Sequence, residues 1–211
     1  DIGRADSKAL AERAVAMAPL GGSVRISLWA LGWLARVQFL TGEWDRALHS
    51  VEQGRTLAAS SGIVLATPLL EWTAAQVHAL RGGWEEAVGA VRATDVITQD
   101  YEMMQMPMQL ARAQIAEAEA DYAKVRRVLD PLTRMASGGA LHEPGLWPWA
   151  DLLANALVIE GQLAAADTFL RPHEDRARTR GHRSTMARLG SARGRLSGAM
   201  GDLPAARRAF E

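Results

Sequence analysis

The sequence predicts an all-α fold, a right-handed superhelical solenoid of helix-turn-helix hairpins with a period of about 40 residues, and three observations predict it. Ala, Leu, Arg, Gln and Glu dominate, and these are good helix formers. Strand signals are nearly absent: Val and Ile are scattered without alternation, and there are only 2 Tyr and 3 Phe. Third, five short stretches share one pattern: TGEWDRA (41–47), RGGWEEA (81–87), EADYAKV (119–125), EGQLAAA (160–166) and MGDLPAA (200–206). Each carries a large apolar residue (Trp44, Trp84, Tyr122, Leu163, Leu203) and, three residues on, a small packing residue (Ala47, Ala87, Val125, Ala166, Ala206). These anchors are 40, 38, 41 and 40 residues apart. Each unit therefore reads as helix A, tight turn, helix B.

The elements follow in order. Asp6 to Ala18 places Leu10, Ala14 and Met17 on one face, as a helix B whose partner lies upstream, and Pro19, Gly21 and Gly22 end it. Ser23 is positioned to cap the first helix A, which carries Leu31, Leu34, Ala35 and Gln38. Its helix B has a stripe of Leu48, Val51, Arg55 and Ala58, and Gly62 suits the left-handed residue beyond it. Thr67-Pro68 reads as N-cap and first helical residue of the second helix A, with Ala74, Ala75 and His78. In the third helix A, with Ala113 and Ala116, Pro107 either starts or kinks the helix. The longest loop spans Ser137-Gly138-Gly139 and Pro144-Gly145, and Trp147-Pro148 opens the fourth helix A, with Leu153, Ala154 and Leu157. Pro172 removes a backbone hydrogen bond from the fourth helix B, Gly181 ends that helix, and Ser184 is a cap for the fifth helix A, with Gly194 and Ser197. Twelve residues before each anchor stands a small residue, Ala35, Ala75, Ala113, Ala154 or Gly194, so the two helices of each hairpin are expected to cross closely there. The expectation is one repeat domain over residues 1–211 with hairpin turns near 42, 82, 120, 161 and 201, cut from a longer array.

Composition narrows the function. The 211 residues hold no Cys, which excludes disulfide scaffolds, Cys-ligated metals and thiol catalysis. With 24 basic and 24 acidic groups the chain lacks the basic excess of a general nucleic-acid binder. At 48% hydrophobic and 23% charged it can bury a core. No apolar run approaches the roughly 18–20 residues of a membrane helix, and the first residues do not form a signal peptide, so a cytoplasmic chain with no membrane partner is expected. There is no Gly-x-Ser-x-Gly elbow, HExxH or dinucleotide fingerprint, the five His lack metal-ligand spacing, and no enzyme is expected.

Hairpins with a Gly-x-aromatic-x-x-Ala turn resemble tetratricopeptide repeats. The longer period, the usage of 22 Arg against 2 Lys, and the phrase EWDRAL…GRTLAASSG resemble the repeat arm of bacterial large ATP-binding LuxR-type (MalT-like) transcriptional regulators. The resemblance implies an effector-sensing or protein-interaction domain whose concave groove takes a small-molecule inducer or a regulatory protein or peptide. It also implies a nucleotide-hydrolysing module before the arm and a DNA-binding helix-turn-helix after it. This chain has no Gly-x-x-x-x-Gly-Lys-Ser/Thr loop, so no cofactor is expected here, with ATP confined to a missing N-terminal module and DNA contacted only through a missing C-terminal domain. The alternative is a generic tetratricopeptide scaffold binding a peptide segment of a partner.

The repeat register supplies candidate groove residues. Directly after each small crossing residue comes Arg36, Gln76, Gln114, Asn155 or Arg195, polar in all five units. In tetratricopeptide proteins the matching position often hydrogen-bonds a ligand. Four residues earlier stand Gly32, Trp72, Leu110, Asp151 and Ser191, and one turn above lie Trp29 and Arg188. Aromatic faces, amides and guanidinium groups together suit a peptide or a sugar; the competing reading is an open face of solvated side chains. Trp44 and Trp84 are expected to pack the turns, while Trp29, Trp33, Trp72, Trp147 and Trp149 sit on A helices. Met103, Met104, Met106 and Met108, around Pro107, make either a loosely packed helix start or an apolar groove wall. His78 is expected as an interior or groove residue and His142-Glu143 as loop. Residues 1–170 carry net −6 and residues 171–211 net +6. The cluster Arg171, Arg176, Arg178, Arg180 and Arg183 either complements a helix C-terminus or meets an acidic partner or DNA.

Overall fold

The structure, a computed structural model, describes residues 6–17, 23–100, 102–137 and 147–211. Among them are twelve helices and no strand: α1 (Ser7–Met17), α2 (Val24–Leu40), α3 (Trp44–Ser61), α4 (Thr67–Leu80), α5 (Trp84–Arg92), α6 (Asp95–Asp100), α7 (Glu102–Ala118), α8 (Tyr122–Ser137), α9 (Ala150–Ile159), α10 (Leu163–Thr179), α11 (Arg183–Ala199) and α12 (Leu203–Phe210). The fold is all-α. The chain forms two compact units that divide between Ala118 and Glu119, inside the third sequence repeat.

In the first unit α2 packs against α3 as a hairpin, and both pack against α4; α4 in turn pairs with α5 and packs against α7. In the second unit α9 pairs with α10, both pack against α11, and α11 pairs with α12. The same order, A against B and both against the next A, thus recurs in each unit.

The repeated turns have a common backbone cause. Gly42, Gly82, Gly161 and Gly201 all take positive φ, between 74° and 83°. The next residue donates its N–H back to the carbonyl five positions earlier: Glu43 to Gln38, Gly83 to His78, Gln162 to Leu157 and Asp202 to Ser197, at 2.8–2.9 Å. This is the Schellman closure, which needs a left-handed residue that glycine adopts without a Cβ penalty. That same donor residue is the N-cap of the next helix, so one glycine sets both the end of helix A and the start of helix B. In the third repeat Ala120, with φ of 59°, stands at the glycine position. There Asp121 Oδ1 accepts from the Lys124 N–H at 2.9 Å, as Asp202 Oδ1 does from Ala205.

The crossing residues are where the register placed them. Ala35, Ala75, Ala113 and Ala154 are fully buried, and so are their anchors Ala47, Ala87 and Ala166. At Gly194 an added Cβ would sit 2.6 Å from the Phe210 ring, so the fifth hairpin is closed by a phenyl ring lying on bare backbone. Larger side chains fill the levels between: Leu28, Leu69, Leu70 and Trp72 are fully buried, each worth about 1.5–3 kcal/mol of transfer free energy. Gly62 and Gly181 take φ of 70° and 63° after helix B, as expected.

Several local expectations are corrected. Ser23 holds the N-cap position of α2, but its side chain makes no cap bond; its carbonyl instead accepts from the N–H and Oγ of Ser27 at 3.0 and 3.1 Å. Thr67 is the first residue of α4 and Ala66 the cap, one residue earlier than expected. Ser184 lies inside α11, because the Schellman bond from His182 N–H to Ala177 brings the chain into helix at Arg183. Neither reading of the methionines holds: Met104, Met106 and Met108 are core side chains, at most 2% exposed. Pro107 lies within α7 and does not start it, whereas Pro172 lies within α10 as expected. The second helix B is split into α5 and α6 around the buried Thr94, which nothing in the repeat pattern announced. The expected long loop and His142-Glu143 fall outside the described residues.

Candidate functional site

The polar register position forms contacts between neighbouring A helices. Arg36 Nη1 donates to Gln76 Oε1 at 2.5 Å, from α2 to α4. Trp72 Nε1 donates to Gln114 Oε1 at 2.8 Å, from α4 to α7. In the second unit Arg195 Nη1 donates to Asn155 Oδ1 at 2.6 Å, from α11 to α9. Each bond joins residues about one period apart. The Arg36 guanidinium also lies 3.8 Å from the Trp72 ring centroid and 4.8 Å from that of Phe39. A cation over aromatic faces in a desolvated setting contributes about 2 kcal/mol.

Burial sorts the candidates. Arg36, Trp72, Gln114 and Asn155 are buried, between 0% and 7% exposed. Their polar groups bond neighbouring A helices: Arg36 to Gln76, Trp72 to Gln114 and Asn155 to Arg195. Gln76 and Trp29 are half-buried, and Arg195 is exposed. Asp151 and Arg188 are half-buried and face each other at 3.8 Å. The accessible members are therefore Trp29 and Gln76 in the first unit, and Asp151, Arg188 and Arg195 in the second.

The tryptophans separate by environment. Trp44 stacks on Phe39 with ring centroids 5.9 Å apart, bracing the first turn, whereas Trp84 is 41% exposed. Trp149 is core, edge-on to Phe169 at 5.6 Å and to His173 at 5.3 Å. His78 is half-buried, and desolvation holds its imidazole below the ordinary value, chiefly against the pull of Glu86.

A second set of contacts was missed in the sequence. Eight residues past the anchor, helix B carries Arg55, Asp95 or Glu174, and each reaches an opposite charge on the next helix A. Arg55 chelates Glu71 through Nε and Nη2 at 2.8 and 2.6 Å. Arg112 meets Asp95 at 2.6 Å. Arg193 chelates Glu174 at 2.8 and 2.7 Å and reaches Asp167 at 2.5 Å. Bidentate pairing raises the pKa of Arg55 and Arg193, and bonds from Arg171 and Arg193 lower that of Asp167. The signal was available: in three units the eighth residue after the anchor is charged beside an oppositely charged A-helix position. In the basic C-terminal cluster, Arg171 pairs with Asp167 and Arg178 with Asp175, and Arg176 and Arg178 occupy the last turn of α10, so part of that charge is satisfied locally.

Among the described residues no group of three or more His, Asp or Glu side chains is arranged to hold a metal ion, and no helix is long and apolar enough to cross a membrane. No known protein family, curated protein or solved structure matches the chain.

Proposed function

We propose that this chain is an effector-sensing or protein-interaction repeat module of tetratricopeptide type, serving as the arm of a LuxR-family transcriptional regulator. In this reading the hairpins build a right-handed solenoid, the A helices line its concave side, and an inducer or regulatory protein binds there. The observation that carries the reading is the polar contact repeated one period apart, Arg36 to Gln76 and Asn155 to Arg195. Such contacts tie the pitch of neighbouring hairpins to side chains at the groove surface. A ligand that engages the half-exposed Gln76 or the exposed Arg195 then favours one spacing of hairpins over another, and differential affinity for two spacings is what signalling requires. ATP and DNA belong to flanking modules in this reading, and the chain itself is neither an enzyme nor a nucleotide binder.

The test has two arms. A thermal-shift screen of small metabolites and peptides is repeated on Gln76→Ala and Arg195→Ala. A true effector raises the melting temperature of the parent and loses that shift in at least one variant; a shift retained in both removes the groove assignment. Sequence on either side of the chain decides the regulator context. A phosphate-binding loop upstream and a helix-turn-helix downstream are expected. A peptide hit with neither module present would replace the regulator by a generic peptide-binding scaffold.

A further inference from the structure

A cavity of about 640 Å³ opens between α1 and the hairpin of α2 and α3. Val15, Val24, Leu31 and Leu57 supply its apolar walls, and one face of α3, His49, Glu52 and Gln53, forms a polar side. A smaller cavity of about 360 Å³ adjoins it across His49 and Gln53. The larger volume lies within the range of small-molecule sites, which are apolar hollows with a few placed polar groups.

Charge decides what kind of molecule suits it. Around the smaller cavity the ions balance: Asp45 meets Arg81 at 2.8 Å, Arg46 lies 2.7 Å from Glu43 and 3.6 Å from Glu12, and Lys8 also binds Glu43. At the larger cavity they do not. Among the described residues Glu52 is the one carboxylate lining it, and its cation is Arg55. Arg55 is committed to Glu71, which is 3% exposed and receives two guanidinium bonds at 2.6–2.8 Å, leaving Nη1 at 3.3 Å for Glu52. One guanidinium thus serves two carboxylates. Burial fixes it on Glu71, where separation would strand a charge in the interior. The unmatched negative charge therefore falls on Glu52, 66% exposed at the cavity mouth.

We propose that this cavity is a binding site for a small amphipathic cation, an amine or quaternary ammonium group carrying an apolar body. The body fills the trough between α1 and α3, and the cationic head sits at Glu52, completing the charge that Arg55 leaves open. The site shares no residue with the Arg36–Gln76 contact, so it stands or falls apart from the groove assignment.

The experiment titrates the whole chain at low ionic strength with octyltrimethylammonium, with octanoate and octyl glucoside as anionic and neutral controls, by calorimetry and thermal shift. The cation is expected to bind about two- to fivefold tighter than the glucoside, the worth of one exposed ion pair, and octanoate weakest. Salt should erode the preference. Glu52→Gln should bring the cation down to the glucoside's affinity. Gln53→Trp, which fills the cavity from an exposed helical position, should abolish binding of all three. Octanoate binding as well as the cation, a cation preference unchanged in Glu52→Gln, or no cation binding at all would overturn the proposal. If Gln53→Trp fails to fold, the exposed substitution Glu52→Gln decides alone.

Discussion

At the scale of single residues, each A-helix contact is a hydrogen bond with at least one buried partner, and the loss of the other partner costs more than the bond's net worth. Trp72 is the sharpest case, being fully buried with its indole N–H on Gln114. Trp72→Phe keeps most of the ring volume but removes the donor, and urea unfolding should show a loss of about 1–3 kcal/mol. Adding Gln114→Leu should recover part of that loss, since the orphaned acceptor goes with it; strict additivity would mean the two side chains do not interact. Arg36 follows the same logic. Packed between Trp72 and Phe39 and bonded to Gln76, it stabilises the fold, so Gln76→Ala should itself lower the melting temperature, and a ligand's shift is read from that variant's own baseline. The repeat register in the sequence found these residues and put them at one level of successive hairpins. It did not reveal that they face each other. Residues at one level of adjacent A helices sit within reach of a long side chain, and whether Arg36 turns sideways to Gln76 or outward depends on the packing of Trp72 between them, which no one-dimensional pattern encodes.

At the scale of helices, spacing is set by small residues where backbones approach, and the sequence showed one half of this. The twelve-residue offset from anchor to crossing residue revealed the contacts within hairpins, because Ala35/Ala47 and Ala75/Ala87 recur. The polar contacts between hairpins recur as well, but the close backbone approaches there carry no such repeat. Gly32 meets Leu69 and Gly54 meets Leu70, where an added Cβ would lie 2.7 and 2.5 Å from a leucine methyl. The other units have no glycine at either position, so these close approaches belong to one interface and leave no periodic trace. They make a paired prediction. Gly89, on α5, has open space where a Cβ would go, so Gly89→Ala should gain about 0.5–1 kcal/mol from helix propensity. Gly54→Ala has the same propensity gain but must displace Leu70 from a fully buried site, at a cost of about 1–3 kcal/mol. Denaturation midpoints should move in opposite directions for the two variants. If both rise, Leu70 repacks freely and α3 does not press on α4 as closely as it lies.

At the scale of the molecule, a helix draws its stability from the neighbours it packs against, so stability should vary along the chain. α4 is packed by α2, α3, α5 and α7 and buries ten residues from Pro68 to Ala79. α1 packs against α2 and buries none, with Leu10 and Met17 more than half exposed. α12 packs against α11 and buries only Ala206, leaving Leu203 at 70% and Phe210 at 59% exposure. Amide exchange of a buried helix requires opening its neighbours, whereas α1 and α12 can detach at the cost of one interface each. Hydrogen exchange read by mass spectrometry should therefore show slowest exchange in α4 and in the part of α7 around Leu110–Ala116, and fastest in α1 and α12. The gradient within the first unit should run from α1 through α2 to α4. Occupation of the cavity beside α1 should slow α1 and α3 while leaving α12 unchanged, because the ligand's apolar body bridges Val15 to Leu57 and touches nothing in the second unit. Equal protection of α1 and α4 in the free chain would mean that opening is all-or-none, and that the neighbour-by-neighbour account of stability is wrong for this molecule.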